Sequence, residues 1–182
     1  LAKKINGEII NADSMQTYKE LKILSARPYK KDYQNIKHHL YGFISVKKNF
    51  STGDWLKLVD KKIVELRKKK KIPILVGGTG LYFKSLIDGL VNIPYIPIQF
   101  RKKIRSLHSK LGQKKFFTKL VKLDPLVRKK INPLDTQRAI RAYEIKSFTK
   151  KSMYDFFKNT KSKYHQGDFY KIFIDFPRDE LV

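Results

Sequence analysis

At 182 residues the chain is long enough for one packed domain, or for a domain carrying a modest insertion. Its hydrophobic content of 41% and aromatic content of 13% exclude a disordered tail, and the absence of cysteine excludes disulfides and thiolate chemistry while remaining compatible with a reducing cytoplasm. Lys and Arg number 41 against 16 Asp and Glu, a formal charge of +25 that attracts polyanions in a salt-dependent way. Only 8 of those cations are Arg, so drift toward Lys codons accounts for much of the excess, and charge alone does not separate RNA from a membrane surface or an acidic protein. No apolar run approaches the ~20 residues of a membrane span, and neither end resembles a signal peptide.

In chain order, Gly7 to Ala12 reads as a short buried strand ending at Asp13-Ser14. Leu40 to Ser45 is a second candidate strand, entered from His38-His39. Ser51 opens a helix with Asp54 three residues on, the spacing of a capping box. Trp55, Val59, Ile63 and Leu66 recur at helical spacing up to the run Lys68 to Lys71, whose cations suit a helix C-terminus. Ile72 to Val76 is a continuous apolar strand that runs into Gly77-Gly78-Thr79-Gly80 and a helix containing Leu81, Phe83, Leu86 and Ile87. Strand, helix, strand, glycine-rich turn and helix in that order predict an α/β fold with a parallel sheet.

Pro94 and Pro97 then break the chain, and helical spacing takes over. Ile104, Leu107 and Leu111 precede Gly112, with Phe116, Phe117, Leu120 and Val121 beyond it. Asp124-Pro125 is a cap followed by proline at the first helical position. Asn132-Pro133 stops that element, and Asp135 caps a helix running to about Ser147. After a polar stretch, Tyr170 to Asp175 reads as an apolar strand returning to the sheet. The domain reading is an α/β core over 1–93, an all-helical insertion over 94–165, and a return strand with the start of a helix over 166–182. Leu1 is not Met and Asp179 to Val182 read as a helix opening, so the chain is expected to be an internal piece of a longer protein.

Several side chains stand where chemistry collects. Asp13 and Ser14 lie just past a strand end, where ligands gather in open α/β sheets, although Asp-Ser is also ordinary capping chemistry. The Gly77 to Gly80 turn permits close backbone approach and leads into a helix N-terminus that favours anions, but it lacks the Lys of a phosphate-binding loop. Gln137 and Arg141 fall at i and i+4, with Arg138 one step round, and Ile140 and Tyr143 face the other way. Such a stripe suits bidentate contacts to bases and phosphates, and equally a solvated face. Arg101, at the start of the insertion, has the same two readings. His38 and His39 point to opposite faces of a strand with no partner set, so they read as structural and not as metal ligands.

Taken together in order, these segments resemble the tRNA dimethylallyltransferase family (tRNA isopentenyltransferases, the IPP transferase family). Asn11 to Lys19 is similar to its Asp-Ser-x-Gln-x-Tyr segment, Ser25-Ala26-Arg27-Pro28 to its Thr-Ala-Lys-Pro with Arg for Lys, and His38-His39-Leu40 to its His-His-Leu. Leu75 to Lys84 matches almost without change, and Asp124-Pro125 and Asn132 to Ile145 follow in the family's order.

The resemblance implies a P-loop-NTPase-like parallel sheet core with an all-helical insertion domain. The activity implied is transfer of a dimethylallyl group from dimethylallyl diphosphate to the exocyclic amine of the adenosine 3′ of the anticodon. Asp13 matches the family's general base and Thr79 its contact near the reacting centre. Asp13, Ser14, Met15 and Gln16, with Arg101 and the run Gln137, Arg138, Ala139, Ile140 and Arg141, match its tRNA-binding positions. Gly77, Gly78, Gly80 and Arg27 are candidates for the donor pocket. The family's G-x-T-x-x-G-K-[ST] loop does not occur in these 182 residues. The Mg²⁺ that accompanies the diphosphate is therefore expected to have an incomplete site, with no metal ligands within this chain. The implied partners are tRNA, through its anticodon stem-loop, and dimethylallyl diphosphate, with no membrane; the implied protein is a cytoplasmic monomer, and this piece is expected to be inactive alone. An adenylate isopentenyltransferase, acting on a free nucleotide, and a basic RNA-binding module without turnover remain alternatives.

Overall fold

A computed structural model describes residues 1–158 and 160–180. The chain divides into two compact units, residues 1–90 with 162–182 and residues 91–161.

In the first unit three strands, β1 (Gly7–Asn11), β2 (His38–His39) and β3 (Ile72–Val76), form a parallel sheet in the order β2-β1-β3. Asn11 is in register with Val76, so β1 and β3 end side by side. Between β2 and β3 runs α1 (Thr52–Lys68), and β3 is followed by α2 (Gly80–Asp88). The capping box at α1 is formed: the Ser51 side chain accepts from the Asp54 amide, and Asp54 accepts in return from the Ser51 amide at 3.0 Å. The apolar stripe read from the sequence is the buried one, with Trp55, Val59, Ile63 and Leu66 packed with Ile10, Ala12, Tyr82 and Leu86. Trp55 satisfies its indole N–H on the Asn11 carbonyl at 3.0 Å and stacks on Tyr82 with ring centroids 4.1 Å apart.

Two strand expectations in this unit are corrected. The second strand is His38–His39 itself, and Leu40 to Ser45 is irregular apart from one bridge between Tyr18 and Ile44. Leu40 (φ 62°) and Gly42 (φ 51°) are left-handed, which an extended run does not admit. The return strand over 170–175 is also not formed. The segment does re-enter the first unit, with Ser162 donating to the Leu86 carbonyl at 2.6 Å, Lys163 paired to Asp60 at 2.7 Å, and Tyr164 and Phe169 packed on the core. Beyond Phe169, however, Phe173 is 88% and Ile174 85% exposed and no strand of the sheet pairs with them. An apolar run makes a strand only where a neighbouring ladder receives it. Arg178–Glu180 form a 3-10 turn, and Leu181 and Val182 lie outside the described residues.

The second unit is helical. Helix α3 (Ile98–Leu123) breaks at Gly112 (φ 70°), where the sequence pattern divides. Asp124 accepts from the Leu126 amide and opens a 3-10 turn, Pro125–Lys129, in place of a longer helix. Asp135 accepts from the Arg138 amide at 3.0 Å and caps α4 (Thr136–Thr149); α5 (Met153–Lys158) follows, entered at Ser152, whose amide donates to Asp155 at 3.0 Å. Phe116, Leu120, Val127, Ala139, Ala142 and Ile145 form its core.

Burial raises the phenols of Tyr41, Tyr82 and Tyr164 from 10.0 to about 12. Unfolded phenols ionise near pH 10 while the folded ones keep their protons, so the unfolded state binds fewer protons between pH 10 and 12 and stability falls as pH rises through that window. Thermal melts should shift downward from pH 10 to 12, and Tyr82→Phe should reduce the shift.

Candidate active site at the carboxyl ends of β1 and β3

The turn after β1 is organised by Asn11, which is wholly buried. Its Oδ1 accepts from the Asp13 amide at 2.9 Å, and its Nδ2 donates to the Asp13 carbonyl at 2.9 Å and to the Leu40 carbonyl at 3.1 Å. One amide side chain thereby closes the turn on itself and fixes it to the segment after β2. Asp13 in turn presents Oδ1 to the amides of Met15 (2.8 Å) and Gln16 (3.3 Å). One carboxylate oxygen is thus held by two backbone donors. The other, Oδ2, makes no hydrogen bond with the described residues and lies over Gly78, 3.8 Å from where a Cβ on that glycine would stand.

The glycine turn comes up against this segment directly. Ala12 donates to the Val76 carbonyl at 2.8 Å, and Thr79 donates its amide to the Ala12 carbonyl at 3.2 Å. The Thr79 hydroxyl accepts from the Ser14 amide at 2.9 Å and donates to the Ser14 hydroxyl at 3.2 Å. A Cβ at Gly77 would come within 2.2 Å of the Ala12 carbonyl carbon and 2.5 Å of the Asp13 nitrogen, so only glycine permits the approach. Asp13, Ser14, Thr79, Gly77 and Gly78 therefore form one site. Gly80 begins α2 with Thr79 as its N-cap residue. Burial first, then the neighbouring Tyr18 and Asp13, holds the Tyr82 phenol up at about 12; burial, then Tyr33 and Asp13, does the same for Tyr41. Both phenols stay neutral near the carboxylate.

The remaining members of the first cluster are placed differently. Met15 is exposed, and Gln16 donates its side chain to the Ser25 carbonyl at 2.9 Å, tying the following loop to the site. Arg27 donates to the carbonyls of Tyr18 (3.0 Å) and Lys19 (3.3 Å) and lies against Gly42, where any Cβ would strike its guanidinium. That is the position of a brace for the loop. His39 pairs with Glu8 at 2.7 Å and His38 stacks on Tyr33 at 3.9 Å. No group of three or more His, Cys, Asp or Glu that could hold a metal exists among the described residues. Asp13 is the one carboxylate at the site, so the residues present do not make a magnesium site.

In the second unit, α4 exposes Gln137 and Arg138, with Arg141 half-buried. Ala139 is fully buried in the helical core and Ile140 packs against it: at 3.6 residues per turn they fall on the apolar side of the helix. Arg138 lies 3.4 Å from Asp135. Arg101 and Arg141 both reach Glu144, at 3.3 and 3.2 Å. Asn11 and Glu144 were missed as site residues. The signal for Asn11 is its place two residues before Asp13, the spacing of an Asx turn; for Glu144 it is a charge on an apolar face, within the stretch Asn132 to Ile145 that resembles the family.

The family model for IPP transferase matches residues 16–182. A tRNA dimethylallyltransferase of Pelagibacter ubique is 63% identical over 182 residues, all of this chain and 58% of that protein. One from Rickettsia massiliae is 51% identical over 156 residues, 86% of this chain and 43% of that protein. Among solved structures, a eukaryotic dimethylallyltransferase acting on tRNA superposes with a TM-score of 0.75 at 28% identity, covering 90% of this chain and 41% of that one. The full-length tRNA isopentenylpyrophosphate transferase of Bacillus halodurans gives 0.50 at 33% identity, covering 84% of this chain and 50% of that one. The fold is the P-loop-like α/β fold of these structures, and the chain belongs to the IPP transferase family. It spans a little over half the length of the Pelagibacter relative.

Replacing Asn11 with Ala leaves the Asp13 amide and the Leu40 carbonyl without their partners, which costs about 1–3 kcal/mol. Urea unfolding should show that loss. Gly77→Ala should destabilise by a similar ~1–3 kcal/mol, through a clash that forces the two turns apart.

Proposed function

We propose that this chain carries the acceptor side of a tRNA dimethylallyltransferase. In this reading the exocyclic amine of the adenosine 3′ of the anticodon attacks the allylic carbon of dimethylallyl diphosphate. The new C–N bond forms as the C–O bond to diphosphate breaks, diphosphate leaves with the bonding pair, and Asp13 takes the amine proton. The observation that supports it is the two-sided carboxylate: Oδ1 is oriented by two backbone amides while Oδ2 is free to accept a proton. A base needs both a fixed direction and an open lone pair.

An allylic diphosphate ionises readily, so catalysis requires alignment, exclusion of water and neutralisation of the leaving group. Asp13 also tolerates the positive charge that develops on the amine. We assign Thr79 to the substrate side of the turn through its hold on Ser14, and Gly77, Gly78 and Gly80 to the donor side, where a backbone without Cβ atoms lets a ligand approach. Arg27 acts as a brace in this reading. Diphosphate chemistry of this kind is served by Mg²⁺, but the described residues do not fit that ion. An extruded anticodon-loop base would meet Ser14 to Gln16 in the first unit; the second unit by itself offers Arg101, Gln137, Arg138 and Arg141, in keeping with recognition of RNA loops through exposed polar and cationic side chains. No helix among the described residues is long and apolar enough to cross a membrane. A tRNA substrate is in keeping with a cytoplasmic protein.

The test uses the chain extended to the length of its Pelagibacter relative, an anticodon stem-loop and labelled dimethylallyl diphosphate. Asp13→Asn should lower transfer by about 10²–10⁴-fold with stem-loop affinity changed less than about threefold. Transfer to free adenosine monophosphate in preference to the stem-loop would reject the tRNA assignment, and an unaffected Asp13→Asn rate would reject the base. The 182-residue chain alone should bind the stem-loop without transfer, since none of its residues forms the glycine-lysine loop for the leaving group; measurable transfer by it would overturn that division.

A further inference from the structure

Glu144 sits on α4 with 1% of its surface exposed. A carboxylate that deep needs counter-charge. It has two: Arg101 Nε at 3.3 Å and Arg141 Nη1 at 3.2 Å, both to the same oxygen, Oε2. The Arg141 contact is a hydrogen bond, whereas the Arg101 contact is an ion pair without hydrogen-bond alignment. Oε1 is buried with no hydrogen-bond partner among the described residues. Both arginine side chains remain 41% exposed. A buried acid therefore lies beneath two guanidiniums that are open on their outer side.

Two guanidiniums meeting at one oxygen repel each other, and long side chains in that position otherwise separate into solvent. Their shared carboxylate removes that tendency and leaves the triad with one net positive charge. No hydrogen bond to the described residues uses the Nη atoms of Arg101 or Nη2 of Arg141, so paired N–H groups remain on both arms. A phosphodiester has the complementary form: one negative charge on two non-bridging oxygens, each able to accept from a planar fork. Arg138 differs, being paired with the partly exposed cap Asp135 and tied to no buried group.

We propose that Glu144 is a positioning residue that holds Arg101 and Arg141 as a two-armed clamp on a single phosphate of the RNA backbone. This rests on the RNA-binding reading above and adds to it a residue that never touches RNA and a stoichiometry of one phosphate.

A purely electrostatic role and a positioning role predict opposite signs. Glu144→Gln makes the protein more positive, so a field effect alone tightens RNA binding. Positioning makes it weaker. Binding of the 182-residue chain to the anticodon stem-loop, measured across a salt series, should be about tenfold weaker for Glu144→Gln, with the salt slope reduced by about one. A scan of single methylphosphonate linkages through the loop should find one linkage at which wild-type affinity drops about tenfold and at which Glu144→Gln shows almost no further drop. Equal or tighter binding by a Glu144→Gln chain that melts like wild type would overturn the proposal, as would a wild-type chain indifferent to every single methylphosphonate. Should Glu144→Gln not fold, Arg101→Lys and Arg141→Lys keep the charge and remove the forks; both should lose sensitivity at the same linkage, and wild-type behaviour in either one overturns the clamp. Failure of wild type to bind the stem-loop at all would instead refute the RNA reading itself, and the clamp with it.

Discussion

The side chain of Asn11 is the constraint on which the candidate site depends. A strand end has unpaired backbone groups, and the residue that follows it is ordinarily free to choose among turns. By filling its own amide valences with the Asp13 amide, the Asp13 carbonyl and the Leu40 carbonyl, Asn11 removes that freedom in a place where water cannot compete. The carboxylate two residues on then inherits a direction, because the turn delivers the Met15 and Gln16 amides to one of its oxygens. Position and orientation of a chemical group come here from backbone geometry, which rearranges less than a flexible side chain.

The glycine turn supplies the second wall of the same construction. Parallel pairing of β1 with β3 brings Asn11 opposite Val76, so whatever follows each strand emerges beside the other. Gly77 converts that adjacency into backbone contact, and Thr79 bridges it with one hydroxyl that both accepts and donates. The site thus follows from register plus one missing Cβ. The helical unit handles charge in another way: most of its cations are on the surface, while Glu144 is buried among apolar residues with two arginines gathered over it. The first unit fixes a carboxylate with backbone donors, and the second fixes guanidiniums with a buried carboxylate.

Local signals that were complete in themselves were legible in the chain. The Ser51–Asp54 box, the Trp55–Val59–Ile63–Leu66 stripe, the helix break at Gly112 and the Asp135 cap all involve neighbours within four residues, and all are formed. Where the reading failed, a distant partner decided. Tyr170 to Asp175 has the apolar run of a strand but no ladder beside it. Leu40 to Ser45 has the composition of one, yet Leu40 is held left-handed as its carbonyl receives Asn11. Arg27 closes a loop on carbonyls nine and eight residues back, a contact that no spacing in the chain announces.

The sequence by itself determined the α/β order of elements, the caps and the apolar faces, and motif resemblance marked Asp13, Thr79 and Gln137 to Arg141 as candidates. These follow from short-range periodicity and from residue types whose backbone preferences are strong. Only the tertiary structure decided which oxygen of Asp13 is open, that Thr79 meets Ser14 across a parallel strand pair, that Ala139 is core, and that Arg101 and Arg141 converge on Glu144. Each of those depends on contacts between residues far apart in the chain, or on which face of an element is buried, and neither is written in spacing alone.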